Sequence, residues 1–188
     1  PDQWPDFFKM AERLAPLEPL FTSVTYGAGG SSQDATLEIV SHLKKEFQFE
    51  TMAHLTCVGA TQEHITQYLQ RLRDNGVDNV LALRGDIPKG QDIDWETAEF
   101  RHAADLVRFA KAHYPTWASA SPGILHPTLI AELASDWRYT VAKIREGADF
   151  VITQLFFDVR EYLHFVDRLS DMGVSIPVIP GILPSRAS

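Results

Sequence analysis

Leu81-Ala82-Leu83-Arg84-Gly85-Asp86 is the stretch from which the fold of this chain can be read. An apolar run stops abruptly at a cation, a glycine and a carboxylate. A buried parallel strand ends this way when its carboxyl end opens into a ligand site. Arg84 offers a planar cation for a phosphate or carboxylate. Gly85 lets the backbone approach a ligand closely, and Asp86 sets a carboxylate beside whatever ring lies there. A strand that merely ends in a polar turn looks similar, so the weight of the motif comes from the other strand ends.

Working outward, strand-like and helix-like periods alternate. Strands are expected at about 21–26, 50–57, 79–84, 116–121 (the weakest), 149–157 (the most apolar) and 174–180. Helices are expected from Ser31 or Ser32 to about 47, at 62–75, 97–113 and 160–172, with 129–146 mainly helical. Gly76, Gly147 and Gly173 stand where helices should end. Residues 87–94 form a longer Pro/Gly/Asp loop, and 122–127 another. This rhythm predicts a parallel α/β protein in one domain. The polar residues clustered just after strands favour a (β/α)8 TIM barrel over a doubly wound sheet, present here as an incomplete barrel of about six strand–helix units.

A 188-residue chain with 45% apolar residues can bury a substantial core. Its net charge of -8 argues against a general nucleic-acid or membrane-surface binder. A single cysteine, Cys57, excludes an internal disulfide and suits a reducing, cytoplasmic setting. No apolar run is long enough to span a bilayer and no signal-like start is present. A chain starting at Pro1 and ending on the turn-like Pro184-Ser185-Arg186-Ala187-Ser188 reads as cut or processed at both ends.

The other strand ends repeat the theme. Thr25-Tyr26-Gly27-Ala28-Gly29-Gly30 is a Gly-rich loop entering a helix, with free N–H groups for an anion and a ring for stacking. Its spacing is not the dinucleotide fingerprint. His54 lies in the second strand; a core imidazole is the simpler reading there, and Cys57 reads as buried packing. No His or Cys pair has metal spacing. Gln154 is an amide inside an apolar run, a buried group that must satisfy its hydrogen bonds and can read a flat heterocycle from a barrel mouth. Asp158 caps the following helix. His126 can reach the same face from its loop. Trp95, Trp117 and Trp137 have no motif spacing and read as packing or rim residues.

Taken together, five segments resemble the methylenetetrahydrofolate reductase family. They are Ser23-Val24-Thr25-Tyr26-Gly27-Ala28, His54-Leu55-Thr56-Cys57, Ala82-Leu83-Arg84-Gly85-Asp86, Ile152-Thr153-Gln154-Leu155-Phe156-Phe157-Asp158 and Ile179-Pro180-Gly181-Ile182-Leu183-Pro184, in the family's order and spacing. The resemblance implies a catalytic barrel over residues 1–188 lacking the family's first and last strands. It implies reduction of 5,10-methylenetetrahydrofolate to 5-methyltetrahydrofolate by NADH or NADPH through bound FAD, in ping-pong fashion. Thr25, Tyr26 and Ala28 would line the flavin and nicotinamide region, and His54, Arg84, Gly85 and Asp86 would contact FAD. Asp86 would also meet the folate pterin, which Gln154 would read. Ala103, His126, Asp136 and Lys143 match positions that hold the rest of FAD. A folate substrate and a homo-oligomer, or a partner subunit, are implied as partners, with no nucleic acid, membrane or metal.

The sequence departs from the family pattern in two ways. The family's proton-donor Glu lies in a Phe-rich strand that has no counterpart in residues 1–19, and Glu12 and Glu18 are not assigned its role. Ser121 stands where a flavin-packing Tyr is usual, and Tyr139 and Ala142 replace polar positions. These departures keep two alternatives open: a flavin-independent reductase of the same substrate, and a non-catalytic pterin- or flavin-binding subunit.

Overall fold

The computed structural model describes residues 4–25, 33–87, 90, 92–114, 129–132 and 137–182. Among the described residues six strands alternate with helices: β1 (Thr22–Val24), β2 (Thr51–Thr56), β3 (Asn79–Leu83), β4 (Leu129–Glu132), β5 (Phe150–Leu155) and β6 (Val178–Gly181). The helices are α1 (Trp4–Leu14), α2 (Gln33–Phe47), α3 (Gln62–Asp74), α4 (Ala103–His113), α5 (Trp137–Arg145) and α6 (Val159–Asp171). The strands form one sheet in the order β1-β2-β3-β4-β5-β6, and every neighbouring pair is parallel. A doubly wound sheet reverses its order at a switch point; this order has no reversal.

Side-chain alternation along the strands builds two apolar layers. Ala53, Leu55, Val80 and Ala82 face the helices and pack with Val40, Ile65, Leu69, Leu72, Leu106 and Val107, all wholly buried. Met52, Leu81 and Phe150 gather on the other face with Phe21, Leu83, Ile152 and Ile179. Each fully buried aliphatic side chain contributes about 1.5–3 kcal/mol, so the helix-facing layer is the main source of stability. Ion pairs bind the outer helices: Arg108 to Glu146 at 2.8 Å joins α4 to the end of α5, and Lys111 to Asp149 at 2.8 Å joins α4 to the start of β5.

Two sequence expectations are corrected, and one helix was not foreseen. The segment from Leu129, expected to be helical, opens as β4, and α5 starts only at Trp137. Pairing on both sides decides it: Leu81 and Phe150 both lie in register with Ile130, and a central strand slot overrides a local helical period. The helix expected from Thr97 begins at Ala103. The Asp105 carboxylate accepts the N–H groups of Arg101 and His102 at 3.0 and 2.9 Å, which sets the helix start there. Helix α1 has no counterpart in the sequence reading. Its short apolar face of Phe7, Phe8 and Ala11 is explained by its partners, Leu43 and Phe49, with the Phe8 ring 3.9 Å from that of His42. The strand expected at 116–121 and the loop at 122–127 lie outside the described residues.

Candidate active site

Because all strands run the same way, their carboxyl ends share one edge of the sheet. Thr25, Arg84-Gly85-Asp86, Gln154 and Gly181-Ile182 follow or close β1, β3, β5 and β6 on that edge. The first turns of α3, α4 and α6 return to it, bringing backbone N–H groups and the positive ends of helix dipoles. Thr61 caps α3 by accepting the His64 N–H at 3.2 Å, and Asp158 caps α6 by accepting the Arg160 N–H at 2.9 Å, as its sequence position predicts.

The turn after β3 is the best-defined part of the edge. The Arg84 carbonyl accepts N–H groups from Cys57 at 3.2 Å and Val58 at 2.8 Å, so the ends of β2 and β3 are tied together. Gly85 has φ of +82°, and a Cβ there would lie 2.9 Å from the Thr56 Cβ and 3.0 Å from the Val58 Cγ1. The close approach expected at Gly85 toward a ligand is instead to the segment that ends β2. Its consequence is that Arg84 and Asp86 are both exposed on a tightly held bend. Among the described residues no carboxylate pairs with Arg84; its guanidinium lies over the Trp95 ring, 5.9 Å from the centroid.

His54 sits lower in β2, opposite Leu81, and is partly buried. Burial lowers its pKa below 6.5, which favours a neutral imidazole. Cys57 is wholly buried, and burial, followed by the Asp105 carboxylate, raises its thiol to about 12. It is packing, as expected, and its Sγ donates to the His102 carbonyl at 3.7 Å, holding the start of α4 against β2.

Gln154 is exposed, which corrects the expectation of a buried amide. A β-bulge between Ile152 and Leu155 carries it out of the regular pairing. There the Gly181 N–H donates to the Thr153 Oγ1 at 2.8 Å, while that hydroxyl donates to the Gln154 carbonyl at 2.9 Å. A Cβ at Gly181 would lie 2.5 Å from the Thr153 carbonyl oxygen, so only glycine lets β6 approach here.

Thr25 is exposed beyond β1 and its carbonyl accepts the Thr36 hydroxyl at 3.2 Å. Ala103 is buried as the first residue of α4, and Lys143 is buried in the second half of α5. Tyr26, Ala28, His126 and Asp136, with Ser121, lie outside the described residues. Sequence reading missed the contact of Trp95 with Arg84; the signal was an indole in the loop that follows the strand-ending Arg. Among the described residues no group of three His, Cys, Asp or Glu side chains could hold a metal ion, and no helix is long and apolar enough to cross a membrane.

The family model for methylenetetrahydrofolate reductase matches residues 2–187. This chain belongs to the methylenetetrahydrofolate reductase family. The methylenetetrahydrofolate reductase (NADH) 1 of Arabidopsis thaliana is 38% identical over 191 residues, covering 95% of this chain and 32% of its own length. The 5,10-methylenetetrahydrofolate reductase of Escherichia coli is 37% identical over 175 residues, covering 92% of this chain and 57% of its own. The chain thus spans about a third of the plant methylenetetrahydrofolate reductase and over half of the bacterial one. Among solved structures, 2,3-dimethylmalate lyase aligns over 90% of this chain and 70% of its own, with a TM-score of 0.55 at 11% identity. Oxaloacetate acetylhydrolase aligns over 90% and 71%, with a TM-score of 0.55 at 13% identity. At such identities these two neighbours speak to the fold alone.

Proposed function

We propose that this chain forms most of the catalytic (β/α)8 barrel of a methylenetetrahydrofolate reductase, which uses NAD(P)H and FAD to reduce 5,10-methylenetetrahydrofolate to 5-methyltetrahydrofolate. The observation that carries the reading is the family match over residues 2–187, with Arg84, Asp86 and Gln154 gathered on the carboxyl edge of a sequentially ordered parallel sheet. That edge is where barrels of this kind build their sites. Two further strands would complete the barrel.

The donor set fits FAD. Arg84 is a cation with no carboxylate partner among the described residues, suited to an anionic group of the dinucleotide. The α4 start at Ala103 adds helix N–H groups on the same edge. Bound FAD would supply a two-electron carrier between NAD(P)H and the folate. The overall reaction consumes one hydride and one proton and opens the imidazolidine ring.

The protein's own residues orient and stabilise. Asp86 puts negative charge where the ring-opened folate is cationic, lowering the energy of that species. Gln154, an amide with two donors and an acceptor, reads the pterin edge. His54, kept neutral by burial, keeps a second positive charge away from the site. Glu12 and Glu18 are exposed on and after α1 and take no part.

The test is the visible absorption spectrum of the protein at its natural length, before and after anaerobic NADH or NADPH. A yellow protein that bleaches with reductant and regains colour with 5,10-methylenetetrahydrofolate supports the reading. A colourless protein that takes up no added FAD overturns the flavin route and favours a flavin-independent reductase or a binding subunit.

A further inference from the structure

We propose that Trp95 is a positioning residue for the flavin site, whose indole restrains the Arg84 guanidinium through a cation–π contact and leaves its N–H groups for an anionic group of FAD. The inference rests on the FAD reading above and extends it to a residue that does not itself contact the ligand.

The contact joins an exposed cation to a prebuilt platform. Arg84 is fixed at its backbone, where its carbonyl accepts two N–H groups from β2's end, but its side chain reaches into solvent. Among the described residues its guanidinium meets the Trp95 ring, 5.9 Å from the centroid. An aromatic face attracts the guanidinium through its π-cloud and leaves the in-plane donors unused. A carboxylate partner would instead consume those donors and cancel the charge. A cation–π contact with indole therefore restrains an otherwise mobile side chain while keeping both its charge and its hydrogen bonds available.

Trp95 is well placed to act as that platform because its turn is tied down on all sides. The Asp94 carboxylate accepts the Glu96 N–H at 3.0 Å and the Thr97 hydroxyl at 3.0 Å, and the Asp94 carbonyl accepts the Ala98 N–H at 3.0 Å. Arg101 donates to the Glu96 carbonyl at 2.8 Å, and the Glu99 carboxylate accepts the Gln62 N–H at 2.8 Å, anchoring the turn to the start of α3. Ile93 packs on Gly59 before the turn, and Phe100 is buried in the core after it.

The test is FAD affinity, read by flavin fluorescence quenching on apoprotein of natural length, for Trp95→Leu, Trp95→Phe, Arg84→Ala and the Trp95→Leu/Arg84→Ala double variant. The thermal midpoint without FAD is followed in parallel. The expected result is about two- to fivefold weaker FAD binding for Trp95→Leu, the range of one exposed cation–π contact, with most of it restored in Trp95→Phe. In the Arg84→Ala background Trp95→Leu should change nothing further, because the indole acts through Arg84. Unchanged affinity in Trp95→Leu, or equal weakening with and without Arg84, overturns the positioning role. Absence of FAD binding by the unaltered protein overturns the flavin reading as well, so the two failures are told apart.

Discussion

Asp86 and Arg84 stand two residues apart on one bend and carry opposite charges. Among the described residues Arg84 has no carboxylate partner, and Asp86 brings negative charge to the same edge. Asp86→Asn removes the charge and keeps the shape. It should slow reoxidation by folate about tenfold, roughly 1.4 kcal/mol of transition-state stabilisation, and slow reduction by NAD(P)H much less. Stopped-flow absorbance of the two half-reactions checks this, and equal slowing of both would remove the assigned role. The bend itself was only half legible in the sequence. Gly85 was plain as the residue needed for a close approach, but Thr56 and Val58 as the neighbours it avoids emerge only when β2 and β3 lie side by side. Gln154 shows the same limit: its residue type pointed to a site, while the bulge that exposes it depends on β6.

At the scale of elements, local chemistry predicted the helices that carry their own start or stop signals. Helix α3 was read from its stop signal, Gly76, and the structure adds Thr61 at its N-cap, with Ile65, Tyr68, Leu69 and Leu72 buried at helical spacing. Thr61→Ala should cost about 1 kcal/mol, with Thr61→Ser close to the parent, as read from urea unfolding midpoints. An unchanged midpoint for Thr61→Ala would mean the cap is replaced by solvent without loss. Elements that owe their form to partners were misread. Leu129-Ile130-Ala131-Glu132 carries no strand signal strong enough to beat a helical reading, yet it fills the slot between β3 and β5 and pairs with both. Helix α1 is defined by the α2 side chains it covers.

For the whole molecule, His54 couples folding to pH. Its folded pKa lies below the unfolded value of 6.5, because burial penalises the charged ring. Above 6.5 both states are neutral and stability is unaffected. As pH falls from 6.5 toward the lowered folded value, the unfolded chain takes up a proton that the folded chain does not, so stability declines; below the folded value the decline stops. His54→Gln should flatten this acid arm, measured as urea midpoints between about pH 7.5 and 5. A parallel decline in both proteins would assign it to other groups. By itself the sequence determined the parallel α/β class, most strand and helix positions, the family and the residue types at the strand ends, because these follow from local periodicity, capping and short motifs. The tertiary structure decided which segment fills the fourth strand slot, that the six strands lie in chain order, that Gln154 is exposed at a bulge, and that Trp95 meets Arg84. Each of those depends on contacts between residues distant in sequence, whose free energy no local window contains.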